Sequence, residues 1–440
     1  MDAVNDLFGT DGIRGRSGDF PLDEESLLKI GNIICSGLGA RRILIARDNR
    51  VSGPEIEETL CRGLHEAREI VLAGVLPSPA LACLTRRQGF DLGIMITASH
   101  NPWQDNGLKF FDSSGKKLDS ETEKKLGSLF YGIERGHTGN PTIKRMDLTS
   151  AYIEFLRLVF KNNPISNRSL VIDCANGAAA KLIKQLSSAF DLNWKIIHAE
   201  ADGHKINLDC GATAPASLQA AVKARPGAIG AAFDGDGDRV IFVDEAGNLL
   251  DGDHTLWILA RNLAAREKNF NPVVVGTIMS NSGLEKALRE IGLTLARAGV
   301  GDRQVMRLME SKQAILGGEP SGHTILGHLH TTGDGMLTLL FLLRALQENG
   351  RDLAAAANSL NMLPQLKSDI ATIERFDFNQ WPAFVESQKK IEGNGGRLVV
   401  RYSGTENKLR IMIEHPDREK AAHCLDNLLD IFAKGKGDIQ

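Results

Sequence analysis

One pattern recurs three times along the chain and restricts it to a narrow class of folds. A short apolar run at residues 43–46, 170–173 and 273–276 is followed each time by a glycine-bearing turn and a helical pattern. The turns are Val51-Ser52-Gly53, Ala175-Asn176-Gly177 and Asn281-Ser282-Gly283, and the helices follow from Pro54, Ala178 and Leu284. Proline suits the first turn of a helix, where its missing N–H leaves no bond unmade. A second apolar run comes at 70–73, 195–198 and 294–296, and a third at 92–97, 228–233 and 314–316. Strand-length runs alternating with helices imply βαβ crossovers and largely parallel sheets. The unequal spacing of the three starts makes these similar domains rather than the turns of a solenoid.

Each third run leads straight into a polar loop: residues 97–102, 234–239 and 318–323. Ligands of open α/β sheets bind beyond the carboxyl ends of the strands, so three such loops are expected to face one cleft. After Leu363-Pro364 the pattern changes. A helix candidate near 381–391, strands at 397–402 and 409–414, and a last helix at 418–433 read as a smaller α+β unit. The predicted fold is α/β, with four domains around a central cleft. Three are similar βαβ-type domains and the fourth is the C-terminal α+β domain. The expected boundaries are 1–150, 151–250, 251–363 and 364–440.

Composition narrows the function classes. A net charge of −3 over 440 residues gives no electrostatic footprint for nucleic acid or an anionic membrane. The polar, acidic start (Met1-Asp2-Ala3-Val4-Asn5-Asp6) lacks the pattern of a signal peptide. The greasiest stretch, 336–346, is too short to span a bilayer and contains Arg344. Cys35, Cys61, Cys83, Cys174, Cys210 and Cys424 show no C-x-x-C spacing, which argues against a zinc site and for reduced thiols in the cytoplasm.

Two motifs together point to metal-assisted phosphoryl transfer. Thr97-Ala98-Ser99-His100-Asn101-Pro102 presents a hydroxyl at a strand end, and Asp234-Gly235-Asp236-Gly237-Asp238-Arg239 presents three carboxylates at alternate positions. A serine in such a loop is more often a turn or cap residue. Here Asp105-Asn106-Gly107-Leu108-Lys109 follows closely, and an Asn-Gly turn is expected to bring the Lys109 ammonium back to the Ser99 loop. The acidic run also imitates an EF-hand, with Glu245 at position 12, but Arg239 stands where that loop needs glycine and strand-like residues flank it. The expected ion is Mg²⁺, since hard carboxylates and phosphate suit it.

Arg401-Tyr402-Ser403-Gly404-Thr405-Glu406, with Arg410 beyond, reads as a phosphate clamp of backbone N–H groups, hydroxyls and two guanidinium forks. Glu319-Pro320-Ser321-Gly322-His323 offers a carboxylate and a hydroxyl for vicinal sugar hydroxyls. The glycine-rich opening Phe8-Gly9-Thr10-Asp11-Gly12-Ile13-Arg14-Gly15 presents Arg14 and fits neither G-x-G-x-x-G nor a P-loop.

These motifs, in this order and with Thr331-Thr332-Gly333-Asp334-Gly335, resemble the α-D-phosphohexomutases over residues 8 to about 414. The resemblance implies a phosphoserine at Ser99, which with Asp234, Asp236 and Asp238 holds one Mg²⁺ per chain. It implies acid–base or electrostatic roles for Lys109 and Arg14, and an orienting role for Arg239. Glu319 and Ser321 match the sugar grip; Arg401, Ser403, Gly404, Thr405 and Arg410 match the site for the phosphate that is not transferred. Asn407 stands where the family usually has proline. The chain is most similar to the members acting on glucosamine phosphates, which implies interconversion of glucosamine 6-phosphate and glucosamine 1-phosphate through a bisphosphorylated sugar. A phosphomannomutase or phosphoglucomutase is the alternative on the same scaffold. A silent sugar-phosphate sensor is disfavoured because it needs no nucleophile. The expected partner is a small-molecule hexosamine phosphate, without nucleic acid or membrane, and a homodimer is compatible with the sequence.

Overall fold

The computed structural model describes residues 7–9, 11–161, 165, 167–192, 194–266, 271–371, 377–403 and 408–435. Its strands, in chain order, are β1 (Ile13–Arg16), β2 (Arg42–Arg47), β3 (Glu69–Val75), β4 (Leu92–Ile96), β5 (Asp105–Asp112) and β6 (Ile143–Arg145) in the first unit. The second unit holds β7 (Leu170–Asp173), β8 (Trp194–Ile197), β9 (Ile229–Phe233), β10 (Val240–Val243) and β11 (Leu249–Leu250). The third holds β12 (Val273–Thr277), β13 (Thr294–Ala298), β14 (Leu316–Gly318) and β15 (Thr324–Leu326). The fourth holds β16 (Gln365–Ala371), β17 (Arg397–Tyr402) and β18 (Lys408–Glu414).

The strand orders reveal one plan used three times. The sheets run β1-β5-β4-β2-β3-β6, β11-β10-β9-β7-β8 and β13-β12-β14-β15. In each, the first apolar run is central and pairs in parallel with the second and third. β4, β7 and β9 are buried from end to end, as expected for strands covered on both faces. A further strand recurs that has no repeated signal in the sequence: β5, β10 and β15 each return antiparallel beside the third strand. The polar loop of each unit is therefore the tip of a hairpin, fixed at both ends. The fourth sheet, β16-β18-β17, is wholly antiparallel.

Packing divides these units unequally. The first three share one continuous apolar core, in which Leu81 and Met95, Phe155 and Ile183, and Leu256 and Leu340 belong to the same cluster. The apolar stretch singled out by sequence forms the helix Gly335–Asn349, whose first 12 residues are all buried. Burying each large apolar side chain contributes roughly 1.5–3 kcal/mol, which explains a helix whose interior positions are mostly Leu, Met and Phe. No helix among the described residues is long and apolar enough to cross a membrane. The fourth unit has its own core around Phe384, Ile391, Ile411, Ile413 and Phe432. It is tied to the third unit by polar groups: Arg397 donates to the Ile278 and Ser280 carbonyls and to Glu414, and Glu414 accepts from the Ser282 amide.

Candidate active site

Ser99 occupies the loop between β4 and β5, is fully buried, and has a φ of 52°. That left-handed conformation costs a residue with a Cβ roughly 1–2 kcal/mol, so the surroundings must enforce it. The Thr97 hydroxyl accepts from the Ser99 amide (2.9 Å) and donates to Asp48 (2.6 Å). The Ser99 Oγ donates to Asp234 Oδ2 at 2.7 Å, so the hydroxyl of the first unit meets the acidic loop of the second. Glycine is required at the approach, because a Cβ on Gly235 would lie 2.5 Å from the Ser99 carbonyl oxygen. His100, beside the serine, is driven by burial to a pKa of about 4, with Arg239 and Arg14 adding to the effect. It is neutral at pH 7.

Asp234, Asp236 and Asp238 are buried, and one carboxylate oxygen from each lies within 4.8 Å of the others. Asp236 Oδ1 and Asp238 Oδ1 are buried oxygens without a hydrogen-bond partner among the described residues. An all-oxygen cluster with unused buried lone pairs fits a small hard cation. Burial pushes the Asp234 carboxyl well above the usual aspartate range, and Asp238 and Asp236 push it the same way. Burial acts likewise on Asp238, but Lys109, His323 and Arg239 outweigh it and hold that carboxyl well below its usual value.

Lys109 is the countercharge, and it arrives by a route the sequence reading did not anticipate. Asn106 and Gly107 form no turn; both lie inside β5, paired with Gly15 and Arg14 of β1. The hairpin itself sets Lys109 opposite Met95 on β4. Its Nζ reaches Asp236 (2.8 Å), Asp238 (3.0 Å) and Asp11 (3.4 Å). Burial alone lowers an ammonium pKa, yet Asp11, Asp236 and Asp238 together raise it well above the ordinary lysine value. Arg14 pairs with Asp11 at 2.5 Å and reaches the Ala98 carbonyl and the Asn101 side chain.

The end of the second loop and the whole of the third close on the same cluster. Arg239 Nε is 4.0 Å from Asp234 and 3.8 Å from Asp238. His323 is buried with Nδ1 3.6 Å from Asp238, and it was not singled out from the sequence as a site residue. Glu319 is half-buried; its Oε2 accepts from the Gly301 amide at 3.4 Å. Burial raises its carboxyl pKa, while His323 and Arg239 oppose that rise. Ser321 is exposed beside it. Lys117 bridges Asp11 of the first unit and Asp302 of the third, another contact without a sequence signal.

The clamp lies on the fourth unit. Arg401 on β17 stands opposite Arg410 on β18, and the buried Ser403 donates its amide to the Lys408 carbonyl at 2.8 Å. Burial and then Arg410 lower the Arg401 pKa, while the carboxylate of Glu319, from the third loop, opposes them. Gly404, Thr405 and Asn407 lie outside the described residues.

The fold also gathers a mixed group, Asp173, His198 and Cys210, that the spacing of the cysteines did not suggest. Asp173 already accepts from the Ala175 and Gly211 amides, each at 2.9 Å, and His198 lies 3.0 Å from it. That carboxylate braces the loops of the second unit.

Four family models match consecutive parts of the chain: phosphoglucomutase/phosphomannomutase alpha/beta/alpha domains I (residues 5–135), II (150–247) and III (251–362), and the C-terminal domain (345–431). A phosphoglucosamine mutase of Pseudomonas fluorescens is 38% identical over 97% of this chain and 98% of its own. The chain belongs to the α-D-phosphohexomutases. Another relative, a phosphoglucosamine mutase of Pseudomonas putida, is 39% identical over 95% of this chain and 96% of its own. This phosphohexomutase has the four-domain α/β fold of its family, and it is an isomerase of the intramolecular phosphotransferase type. Its fold is shared with a phosphoglucomutase/phosphomannomutase family protein from Burkholderia thailandensis (TM-score 0.81, 24% identity, 98% of each chain). It is shared too with an N-acetylphosphoglucosamine mutase of Aspergillus fumigatus crystallised with GlcNAc-6P and magnesium (TM-score 0.69, 18% identity, 95% of this chain and 93% of that one).

Proposed function

We propose that this phosphohexomutase interconverts glucosamine 6-phosphate and glucosamine 1-phosphate, supplying amino-sugar nucleotides and cell-envelope precursors. The observation that carries the reading is the bond from Ser99 Oγ to Asp234, which joins a strand-end hydroxyl to a buried acidic loop 135 positions away. The choice of glucosamine rests on likeness to relatives named phosphoglucosamine mutases.

In this reading a phosphorylated Ser99 donates its phosphoryl group to the 1- or 6-hydroxyl of the bound sugar phosphate. The Ser99 O–P bond breaks as the bond to the sugar oxygen forms, and the proton the sugar hydroxyl gives up ends on the freed Ser99 Oγ. The bisphosphate then turns over and returns its other phosphate to Ser99. Lys109 and Arg14 stabilise the charge that spreads over the transferring group. Arg401, Ser403, Gly404, Thr405 and Arg410 hold the other phosphate, and they serve both orientations because they recognise phosphate rather than sugar. Arg239, Glu319 and Ser321 orient the sugar. Asp234, Asp236, Asp238 and the Ser99 phosphate would hold one Mg²⁺, which when bound neutralises charge on the reacting phosphoryl oxygens.

The domain division that goes with these roles is 1–150 for the serine loop, 151–250 for the acidic loop, 251–363 for sugar recognition and 364–440 for the clamp. Six free cysteines support a cytoplasmic setting. A coupled assay comparing glucosamine, glucose and mannose phosphates tests the proposal. The highest kcat/KM is expected for glucosamine 6-phosphate; a preference for mannose or glucose phosphate would make the enzyme a phosphomannomutase or phosphoglucomutase instead.

A further inference from the structure

Three residues beyond the end of β2, Arg50 is among the largest fully buried side chains of the protein, and its guanidinium has a full set of partners. Nε donates to Asp48 Oδ2 at 3.0 Å. Nη1 donates to the carbonyls of Pro102 and of Asp105, the latter at 2.9 Å. Nη2 donates to the carbonyls of Ser99 (2.9 Å) and Asn101 (2.8 Å). A guanidinium has five N–H donors in a fixed planar fork, and here five acceptors meet them. Four of those acceptors belong to the backbone that carries the nucleophile.

Asp48 completes the arrangement from the other side. It pairs with Arg50 while accepting from the Thr97 hydroxyl, which in turn accepts from the Ser99 amide. The peptide groups on both sides of Ser99 are thereby tied to one buried ion pair. The second unit adds a further restraint: Asn207 Nδ2 donates to the same Ser99 and Asn101 carbonyls, at 2.8 and 3.1 Å.

We propose that Arg50 is the positioning residue of the phosphoryl-transfer step, with Asn207 as its counterpart from the second domain. By filling the carbonyls of the serine loop, the two side chains hold Ser99 in its left-handed conformation with Oγ aimed at the acidic loop. This rests on the assignment of Ser99 as nucleophile. The side-chain hydrogen bonds described for both residues go to Asp48 and to the backbone of residues 99–105, which places their role at the nucleophile rather than at the substrate. Lysine is a poor substitute for Arg50, because three donors on a mobile stem cannot serve five fixed acceptors. A displacement of the nucleophile by about 1 Å is enough to cost about a hundredfold in rate.

The test is single-turnover labelling of Ser99 by glucose 1,6-bisphosphate carrying labelled phosphate, with steady-state kinetics and thermal melts on the same Arg50→Lys and Asn207→Ala proteins. Labelling and kcat are expected to fall by about a hundredfold in Arg50→Lys and about tenfold in Asn207→Ala, with KM within about threefold of wild type. If Arg50→Lys does not fold, Asn207→Ala decides on the same split. Wild-type labelling rates in the folded variants would overturn the inference, as would a loss that tracks only the melting temperature or KM. A wild-type enzyme that takes no label on Ser99 would overturn the nucleophile assignment and this inference together. A labelled wild type with equally fast variants would overturn this inference alone.

Discussion

Arg401 and Arg410 face each other directly across the β17–β18 pair, each half-buried, with their cationic side chains brought together by the register. Like charges in directly opposed positions destabilise a sheet, a repulsion that the carboxylates of Glu319 and Asp369 oppose at Arg401 and that a bound anion would relieve further. Arg401→Met is therefore expected to leave the melting temperature of the free protein unchanged or raised. Its kcat/KM for the sugar phosphate should fall about tenfold to a hundredfold, the worth of a charge-assisted bond of about 1.5–3 kcal/mol. A destabilised variant with normal kinetics would make the pair structural.

Activity should require a divalent cation, with Mg²⁺ preferred. Thermal melts should rise with Mg²⁺ in the wild-type enzyme, by about 2.7 kcal/mol of stability at a hundredfold excess over Kd. Asp236→Asn should lose both that shift and nearly all turnover. Full activity in chelator, or an undiminished shift in the variant, would contradict the cation site.

The attachment of the fourth unit should be acid-sensitive. Burial alone would raise the Glu414 carboxyl, but Arg397, Ser282 and Gln365 outweigh it and lower its pKa from the usual 4.5. A depressed carboxyl stabilises the fold above its unfolded pKa, and that contribution disappears as pH falls through the lower folded value. Hydrogen exchange of the β18 amides should be faster in Glu414→Gln than in wild type at pH 7. After correction for the intrinsic rate, that gap should narrow as pH falls below the usual 4.5 and close once pH has passed through the lower folded value. A gap independent of pH would remove the Glu414 carboxylate from the attachment.

Glu319 is the candidate partner of a 2-ammonium group on the sugar. Glu319→Gln should lose more kcat/KM on glucosamine phosphate than on glucose phosphate, by about tenfold if one charge-assisted bond is lost. Equal losses would leave discrimination to other residues.

The three parallel strand cores were legible because each apolar run is short, continuous and followed by a glycine turn. Ser99, Asp234, Asp236 and Asp238 were legible because unusual residue types cluster at strand ends. Asn106-Gly107 misled because that pair is the strongest local hairpin signal. Its glycine instead answers a crowded sheet, where a Cβ on Gly107 would lie 2.5 Å from the Ile13 carbonyl oxygen. Asp11, Lys117, Asp302 and His323 come from distant segments, and only the assembled fold brings their charges together. Arg50 shows the same limit: a basic residue after a strand reads as solvated until the serine loop is found wrapped around it.

The most direct measurement is the fate of a phosphate placed on the enzyme. Enzyme labelled by a bisphosphorylated sugar is mapped by peptide mass, then mixed with excess unlabelled glucosamine 6-phosphate for one turnover. The label is expected on Ser99 alone, and it should pass into the sugar phosphate at a rate no slower than kcat. A label on another residue, a label that stays on the protein, or full turnover by Ser99→Ala would contradict the account.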